Sequence, residues 1–274
     1  MKTLYVSDMD GTLLDNDSLV SPKSAAIISE LSRQGTLITV ATARTPATVD
    51  PLLASTYTCC PAIVMTGAAF WNREKRQLVN AQLFSPGTAI EIVDCFRHAG
   101  LDPFIYTVAS SSHLDVYHGI DMNPGEYDFY QARRRLELKK FHIGSSPAVD
   151  EMDRAILLFS IGDTDRVARL AGDLQSRRDC SVSFYPDLHS HARSLIEVFA
   201  PGVSKARAVQ ELARQLGADR IVVFGDNLND LSMMAVADKA VAVANAFPEV
   251  KSAADVVIGP NSDDSVAKYI RDNI

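Results

Sequence analysis

Apolar and polar positions along this chain follow two rhythms, and the change between them divides it. "TLYVS" (3–7) is a short strand-like run. Ser21-Pro22 then offers a helix N-cap followed by proline at the first helical position, and the helix is expected to run to Gly35. "TLITVAT" (36–42) is β-branched and apolar on both faces, as a strand covered on both sides would be, and Thr45-Pro46 opens the next helix. "AIVMT" (62–66) reads as a third strand. Between about 83 and 189 the pattern becomes that of a separate α+β unit. It holds a helix around 87–99, strands near "PFIYTV" and "LDVYH", a helix through Arg133, then "AILLFSI", a helix from Thr164 and "CSVSFY".

Strand-helix alternation resumes at "SLIEVFA" (194–200). The segment 205–216 carries Val209, Leu212, Ala213 and Leu216 at helical spacing and ends at Gly217. "RIVVFGD", a helix near 228–235, strands "AVAVA" and "DVVIG" and a C-terminal helix complete the chain. Alternation in both flanks predicts an α/β fold with a doubly wound, mostly parallel, Rossmann-like core sheet. Residues 1–82 plus 190–274 would form that core, with 83–189 inserted as an α+β cap domain.

Composition narrows the class without changing this picture. With 274 residues, 47% hydrophobic and 22% charged, the chain has room for a core and an insertion and the make-up of a globular protein. A formal charge of -7 argues against broad nucleic-acid binding, which needs clustered Lys and Arg to neutralise phosphates. No apolar run approaches the roughly 20 residues that span a bilayer, and Asp8 and Asp10 interrupt the N-terminus where a signal peptide needs its apolar region. A soluble cytoplasmic protein with neither nucleic acid nor membrane as partner is expected. Cys59, Cys60, Cys95 and Cys180 form no C-x-x-C and no zinc-like set, so reduced packing residues are the simplest reading. Without a secretory signal, the sequon at Asn16-Asp17-Ser18 is an empty match.

In a doubly wound sheet, ligands bind beyond the C-terminal ends of the strands, so the residues just past each strand carry the chemistry. Here Asp8-x-Asp10 comes after the first, Thr42-Ala43-Arg44 after the second, and Gly225-Asp226-Asn227-Leu228-Asn229-Asp230 after the "RIVVF" strand, while Lys205 opens its helix near the same rim. Each has a bland reading: a polar turn, a helix cap, a solvated lysine, first-turn acids favoured by the helix dipole. Four such coincidences at one sheet edge point instead to a site. Gathering Asp8, Asp10 and Asp226, with Asp230 as an optional fourth, leaves like charges that repel, which a hard cation with oxygen ligands relieves. Mg²⁺ fits because it accepts a few carboxylates and takes substrate phosphate oxygens as further ligands. Lys205 and the Thr42 hydroxyl would face a phosphoryl group.

These four segments, in order and spacing, resemble the motifs of the haloacid dehalogenase-like phosphohydrolase superfamily, in particular its Cof-type branch (subclass IIB) with a large cap between the second and third motifs. "DMDGT" (8–12) corresponds to the first motif, "ATAR" around Thr42 to the second, Lys205 in "GVSKA" to the third and "GDNLND" (225–230) to the fourth. The resemblance implies that Asp8 is the nucleophile and Asp10 the general acid-base. Mg²⁺ would be held by Asp8, the main-chain carbonyl of Asp10 and Asp226, supported by Asn229 or Asp230, with Thr42, Ala43 and Lys205 binding phosphate. Two positions depart from that pattern: Ala43 stands where glycine is usual, and Thr66 where asparagine is usual. The Ala43 amide still serves as a donor.

The activity so implied is Mg²⁺-dependent hydrolysis of a small phosphorylated metabolite, a sugar, polyol or cofactor phosphate, through an aspartyl-phosphate. A phosphomutase uses the same parts and is the nearest rival. A phospho-receiver switch would need its acceptor Asp after the third strand, where Thr66 stands. In the cap, "ARRRLELKK" (132–140) reads as a basic, solvated helix face; His113 and His118 fall on opposite faces of a strand; Trp71 reads as packing; and His189-x-His191 reads as linker.

Overall fold

The computed structural model describes residues 1–187 and 190–274 and divides them into two units, Met1–Val79 with Ser204–Ile274, and Asn80–Val203. In chain order the strands are β1 (Thr3–Ser7), β2 (Leu37–Val40), β3 (Ala62–Val64), β4 (Ala69–Asn72), β5 (Gln77–Val79), β6 (Phe104–Ser110), β7 (His113–His118), β8 (Lys139–Ile143), β9 (Ala155–Asp163), β10 (Ser181–Asp187), β11 (Ser190–Phe199), β12 (Arg220–Gly225), β13 (Lys239–Ala242) and β14 (Val256–Val257).

The first unit is built on a five-stranded sheet, ordered β14-β13-β12-β1-β2, in which every pairing is parallel. Its central strands are apolar on both faces because both are covered: Leu4, Val6, Val223 and Phe224 are fully buried. The helix Pro22–Arg33 starts where expected, with the Ser21 hydroxyl accepting the Ser24 amide at 3.0 Å. The helix Lys205–Leu216 ends at Gly217 in the left-handed conformation. "AIVMT" departs from expectation. Only Ala62–Val64 is strand, joined to the parallel sheet by a single Ala41–Ile63 bridge and continued as an antiparallel β3-β4-β5 sheet. Trp71 of β4 is fully buried and donates to Asp50 at 2.9 Å, which makes it the packing residue that the sequence suggests.

The second unit is a six-stranded sheet, ordered β10-β11-β9-β6-β7-β8, antiparallel except for the parallel β7–β8 pair. The helices Thr88–His98 and Thr164–Gln175 contribute Ile92, Phe96, Val167 and Leu170 to one core cluster with Leu158, Ile196 and Val198 of the strands. Phe104, Phe129 and Phe159 form a second, aromatic contact group.

The structure corrects two further expectations. "SLIEVFA" is no core strand: β11 lies antiparallel between β10 and β9, pairing Leu195 with Tyr185 and Ile161, so the second junction falls at 203/204 rather than 189/190. A short apolar run is equally suited to either sheet, and only its partners decide. "ARRRLELKK" is no helical face either. The helix Pro124–Arg133 ends at its second residue, and Lys139 begins β8, buried among the rings of Tyr106, Phe129 and Phe141. That burial, with Arg133 nearby, lowers its ammonium to about 7. His113 and His118 do fall on opposite faces of β7. His189 and the His191 side chain lie outside the described residues. No helix among the described residues is long and apolar enough to cross a membrane.

Candidate active site

β1 delivers Asp8. Its amide extends the parallel ladder to Phe224 O at 2.9 Å, and the chain then turns tightly, closing through Leu14 N to Met9 O at 2.8 Å. Gly11 makes the turn possible, since its φ is +74° and a Cβ there would lie 2.4 Å from Asp226 Oδ2. The turn therefore lies directly against the end of β12. Thr12 completes the link by donating its hydroxyl to Asp226 Oδ1 at 2.7 Å.

Lys205, the first residue of its helix, is 1% exposed and sits between two carboxylates, with Nζ 2.5 Å from Asp8 Oδ1 and 2.8 Å from Asp230 Oδ1. Ser204 caps the helix, and Gly67 lies close beneath, where a Cβ would be 2.5 Å from the Ser204 carbonyl. Asp230 also accepts the Asp226 and Asn227 amides on Oδ2, at 3.0 and 3.1 Å. It is fully buried and fully used, and so shapes the loop and positions Lys205. Asn229 stands exposed on the same turn.

Asp8, Asp226 and Asp230 each offer an oxygen within 4.8 Å of the others, a group able to hold a metal. The bonds above leave Asp8 Oδ2 and Asp226 Oδ2 as the oxygens not already engaged. Burial, reinforced by Asp230 and Asp226 against the pull of Lys205, pushes the Asp8 carboxyl up to about 8. Burial and Asp230 push Asp226 up to about 6. Lys205 moves upward as well, because Asp230 and Asp8 more than offset its own burial. One ammonium among two buried carboxylates and the partly exposed Asp226 leaves the cluster short of positive charge, and a divalent cation bound by oxygen fits that deficit.

Asp10 does not join this group, contrary to the expectation that it gathers with Asp8 and Asp226. Arg44 takes both of its oxygens, Nε to Oδ2 at 2.7 Å and Nη2 to Oδ1 at 2.5 Å, and the Asp10 side chain is half exposed. The sequence alone gives Arg44 no role. The one signal for it is its place in the same strand-end motif as Thr42.

Thr42 is buried at the end of β2. Its amide donates to Ile63 O and its Oγ1 accepts the Arg44 amide at 3.2 Å, which leaves the hydroxyl proton to be donated. The Ala43 amide makes no backbone hydrogen bond among the described residues. Thr66, whose amide donates to Thr42 O, has φ +56°, a left-handed conformation that asparagine adopts more readily than a β-branched residue. The departure from asparagine therefore places strain beside the Thr42 loop.

The family model described as haloacid dehalogenase-like hydrolase matches residues 5–270. The chain belongs to the haloacid dehalogenase-like hydrolases. Among curated haloacid dehalogenase-like relatives, 5-amino-6-(5-phospho-D-ribitylamino)uracil phosphatase YwtE of Bacillus subtilis is 26% identical, covering 98% of this chain and 97% of the relative. The HMP-PP phosphatase of Serratia proteamaculans is also 26% identical, over 99% and 95%. A solved structure described as the HAD subclass IIB sugar phosphatase BT4131 shares the fold, with TM-score 0.73 at 21% identity over 99% and 98% of the two chains. The superfamily resemblance carried by the four motifs is borne out.

Proposed function

We propose that this protein is a Mg²⁺-dependent phosphatase that hydrolyses a small phosphorylated metabolite through an aspartyl-phosphate on Asp8. The observation that carries the reading is the buried Asp8 carboxylate, pinned through Oδ1 to Lys205 with Oδ2 left for attack. The phosphatase names of the curated relatives, which match nearly end to end, support the reaction class. The two compact units support an inserted cap, spanning 80–203 here, as the part that selects the substrate.

In this reading Asp8 attacks phosphorus while Asp10 gives a proton to the leaving oxygen. Asp10 then takes a proton from the water that opens the acyl phosphate. Lys205, the Thr42 hydroxyl and the Ala43 amide hold the non-bridging oxygens. Asp8, the Asp10 carbonyl and Asp226 would hold Mg²⁺, with Asp230 and Asn229 in support, and the ion when bound supplies charge neutralisation at the phosphoryl group. To transfer its proton, Asp10 must leave Arg44, because both of its oxygens are occupied there.

The test is a panel of sugar, polyol, nucleotide and cofactor phosphates assayed with Mg²⁺ in ¹⁸O-water. Inorganic phosphate carrying solvent oxygen in every turnover, and none from Asp8→Asn, is expected. Isomerised sugar phosphate without released phosphate would assign a mutase instead, and near-normal turnover by Asp8→Asn would remove the mechanism.

A further inference from the structure

The expectation that all four cysteines are reduced packing residues suits Cys95 and Cys180, which lie against the cap cluster, and the buried Cys60, but not the exposed Cys59 beside it. Cys59 and Cys60 precede β3, and their Sγ atoms are 3.8 Å apart, in van der Waals contact. Cys59 is exposed, whereas Cys60 is buried at 4% exposure. The environment favours a thiolate at the exposed member. Either sulfur can donate in the contact between them, and Cys59 Sγ also lies 3.4 Å from the Thr36 carbonyl. The contact with Cys60, aided by the Ile38 backbone and by Lys2, lowers the Cys59 thiol to about 6 against a partial burial, while the same contact raises Cys60. An accessible thiolate backed by a buried thiol within bonding reach is the arrangement of an attacking and a resolving cysteine.

We propose that Cys59 and Cys60 are a modification site for hydroperoxides, closing to a reversible vicinal disulfide. The Cys59 thiolate attacks the terminal peroxide oxygen, the O–O bond breaks, and sulfenic acid forms with release of hydroxide, or of alkoxide from an organic hydroperoxide. Cys60 sulfur then attacks the Cys59 sulfur, the S–O bond breaks, and water leaves with the Cys60 proton. The peroxide is reduced by two electrons and the two thiols are oxidised. Consecutive Cα atoms lie about 3.8 Å apart across a trans peptide, below the roughly 4.4 Å at which ordinary disulfides begin. The ring is therefore strained, and a strained, exposed disulfide is readily reduced by thiols.

The pair also stands where closure has a consequence. Thr39 Oγ1 holds Pro61 O at 2.7 Å and Thr42 N holds Ile63 O at 3.0 Å, so the ring forms at the root of the segment that fixes Thr42. Resting on the proposed phosphate-binding role of Thr42, oxidation is expected to raise KM with little change in kcat.

Full-length protein is treated with hydrogen peroxide, denatured, alkylated and cut with trypsin. Both cysteines fall in the peptide 45–73, which contains no other cysteine. The expected product is an unalkylated peptide two hydrogens lighter, which takes two alkyl groups after dithiothreitol. In Cys60→Ser, Cys59 should accumulate as sulfenic acid and be captured by dimedone. Two thiols still free, a sulfinic acid on Cys59 beside an alkylatable Cys60, or a bond from Cys59 to Cys95, Cys180 or a second chain would each overturn the site. If the disulfide forms and the KM for a turned-over phosphate ester is unchanged, the link to Thr42 is overturned. The mass readout needs no activity, so it stands apart from the proposed function.

Discussion

Arg44 holds Asp10 by both carboxylate oxygens, at 2.7 and 2.5 Å, while the buried Asp8 two residues earlier is held by Lys205. Two acids that sequence places side by side are thus bound to different cations, one accessible and one sealed. The accessible one can be exchanged for substrate, which suits the acid-base role proposed for Asp10.

If Arg44 orients Asp10, Arg44→Ala should lower kcat/KM on a sugar phosphate by about tenfold to a hundredfold through misplacement of the acid-base group. An activated aryl phosphate needs little proton transfer at the first step and should suffer less. Arg44→Lys keeps the charge but not the two-point grip, so it should recover only part of the loss. Because the Asp10 side chain is half exposed and solvent screens the pair, the denaturation midpoint should move little. Equal losses on both esters would remove the positioning role.

Lys205→Met should destabilise the fold. It leaves Asp8 and Asp230 buried without their counter-ion, and breaking a buried pair by removing one partner costs about 3–5 kcal/mol. Adding Asp8→Asn to that background should recover part of the loss, since one of the stranded charges disappears. Urea unfolding of the single and double variants measures this. A double variant less stable than Lys205→Met would contradict the charge argument.

Gly11→Ala tests the close approach of the first turn to Asp226. The new Cβ meets Asp226 Oδ2 at 2.4 Å, and the backbone is left-handed. A loss of about 1–2 kcal/mol from the backbone alone is expected, together with weaker Mg²⁺ binding by calorimetric titration as Asp226 is pushed aside. Unchanged stability and unchanged Mg²⁺ affinity would show that the turn tolerates the methyl group.

His118 gives a pH signature in the cap unit. Its ring is fully buried against Phe104, with Nδ1 2.9 Å from the Gly119 carbonyl and 3.9 Å from Asp102, and Nε2 3.8 Å from Glu126. Burial disfavours the charged ring, but Glu126, the Gly119 carbonyl and Asp102 more than offset it, so its titration lies above the ordinary value. A raised folded-state pKa contributes stability that is fully present below the unfolded pKa of about 6.5 and is lost as pH rises through the folded value. The stability advantage of wild type over His118→Gln should therefore be largest below about pH 6.5 and shrink as pH rises above it. A gap that widens with pH would reverse the assignment.

Much of this protein comes from local pattern. The strand β1, the cap at Ser21, the helix opened by Lys205 and the end at Gly217 appear where short-range periodicity and capping chemistry place them, because those signals are read within a few residues. Asp8, Thr42 and Asp226 are legible as candidates because a parallel sheet brings its strand ends to one edge, so position along the chain translates into position in the candidate site, and Lys205 joins them from the first turn of its helix.

What the chain could not declare are the pairings between segments far apart. The same seven apolar residues of "SLIEVFA" suit a core strand or a cap strand, and β9 and β10 decide for the cap. A basic run passes for a solvated helix until β7 claims Lys139 for β8 and aromatic rings close around it. Asp10 could have joined the acidic cluster, but Arg44, 34 residues away, takes it. Side-chain alternation and capping are properties of one segment. Sheet register, ion pairing and burial are differences between competing partners, so they exist only once the chain has folded.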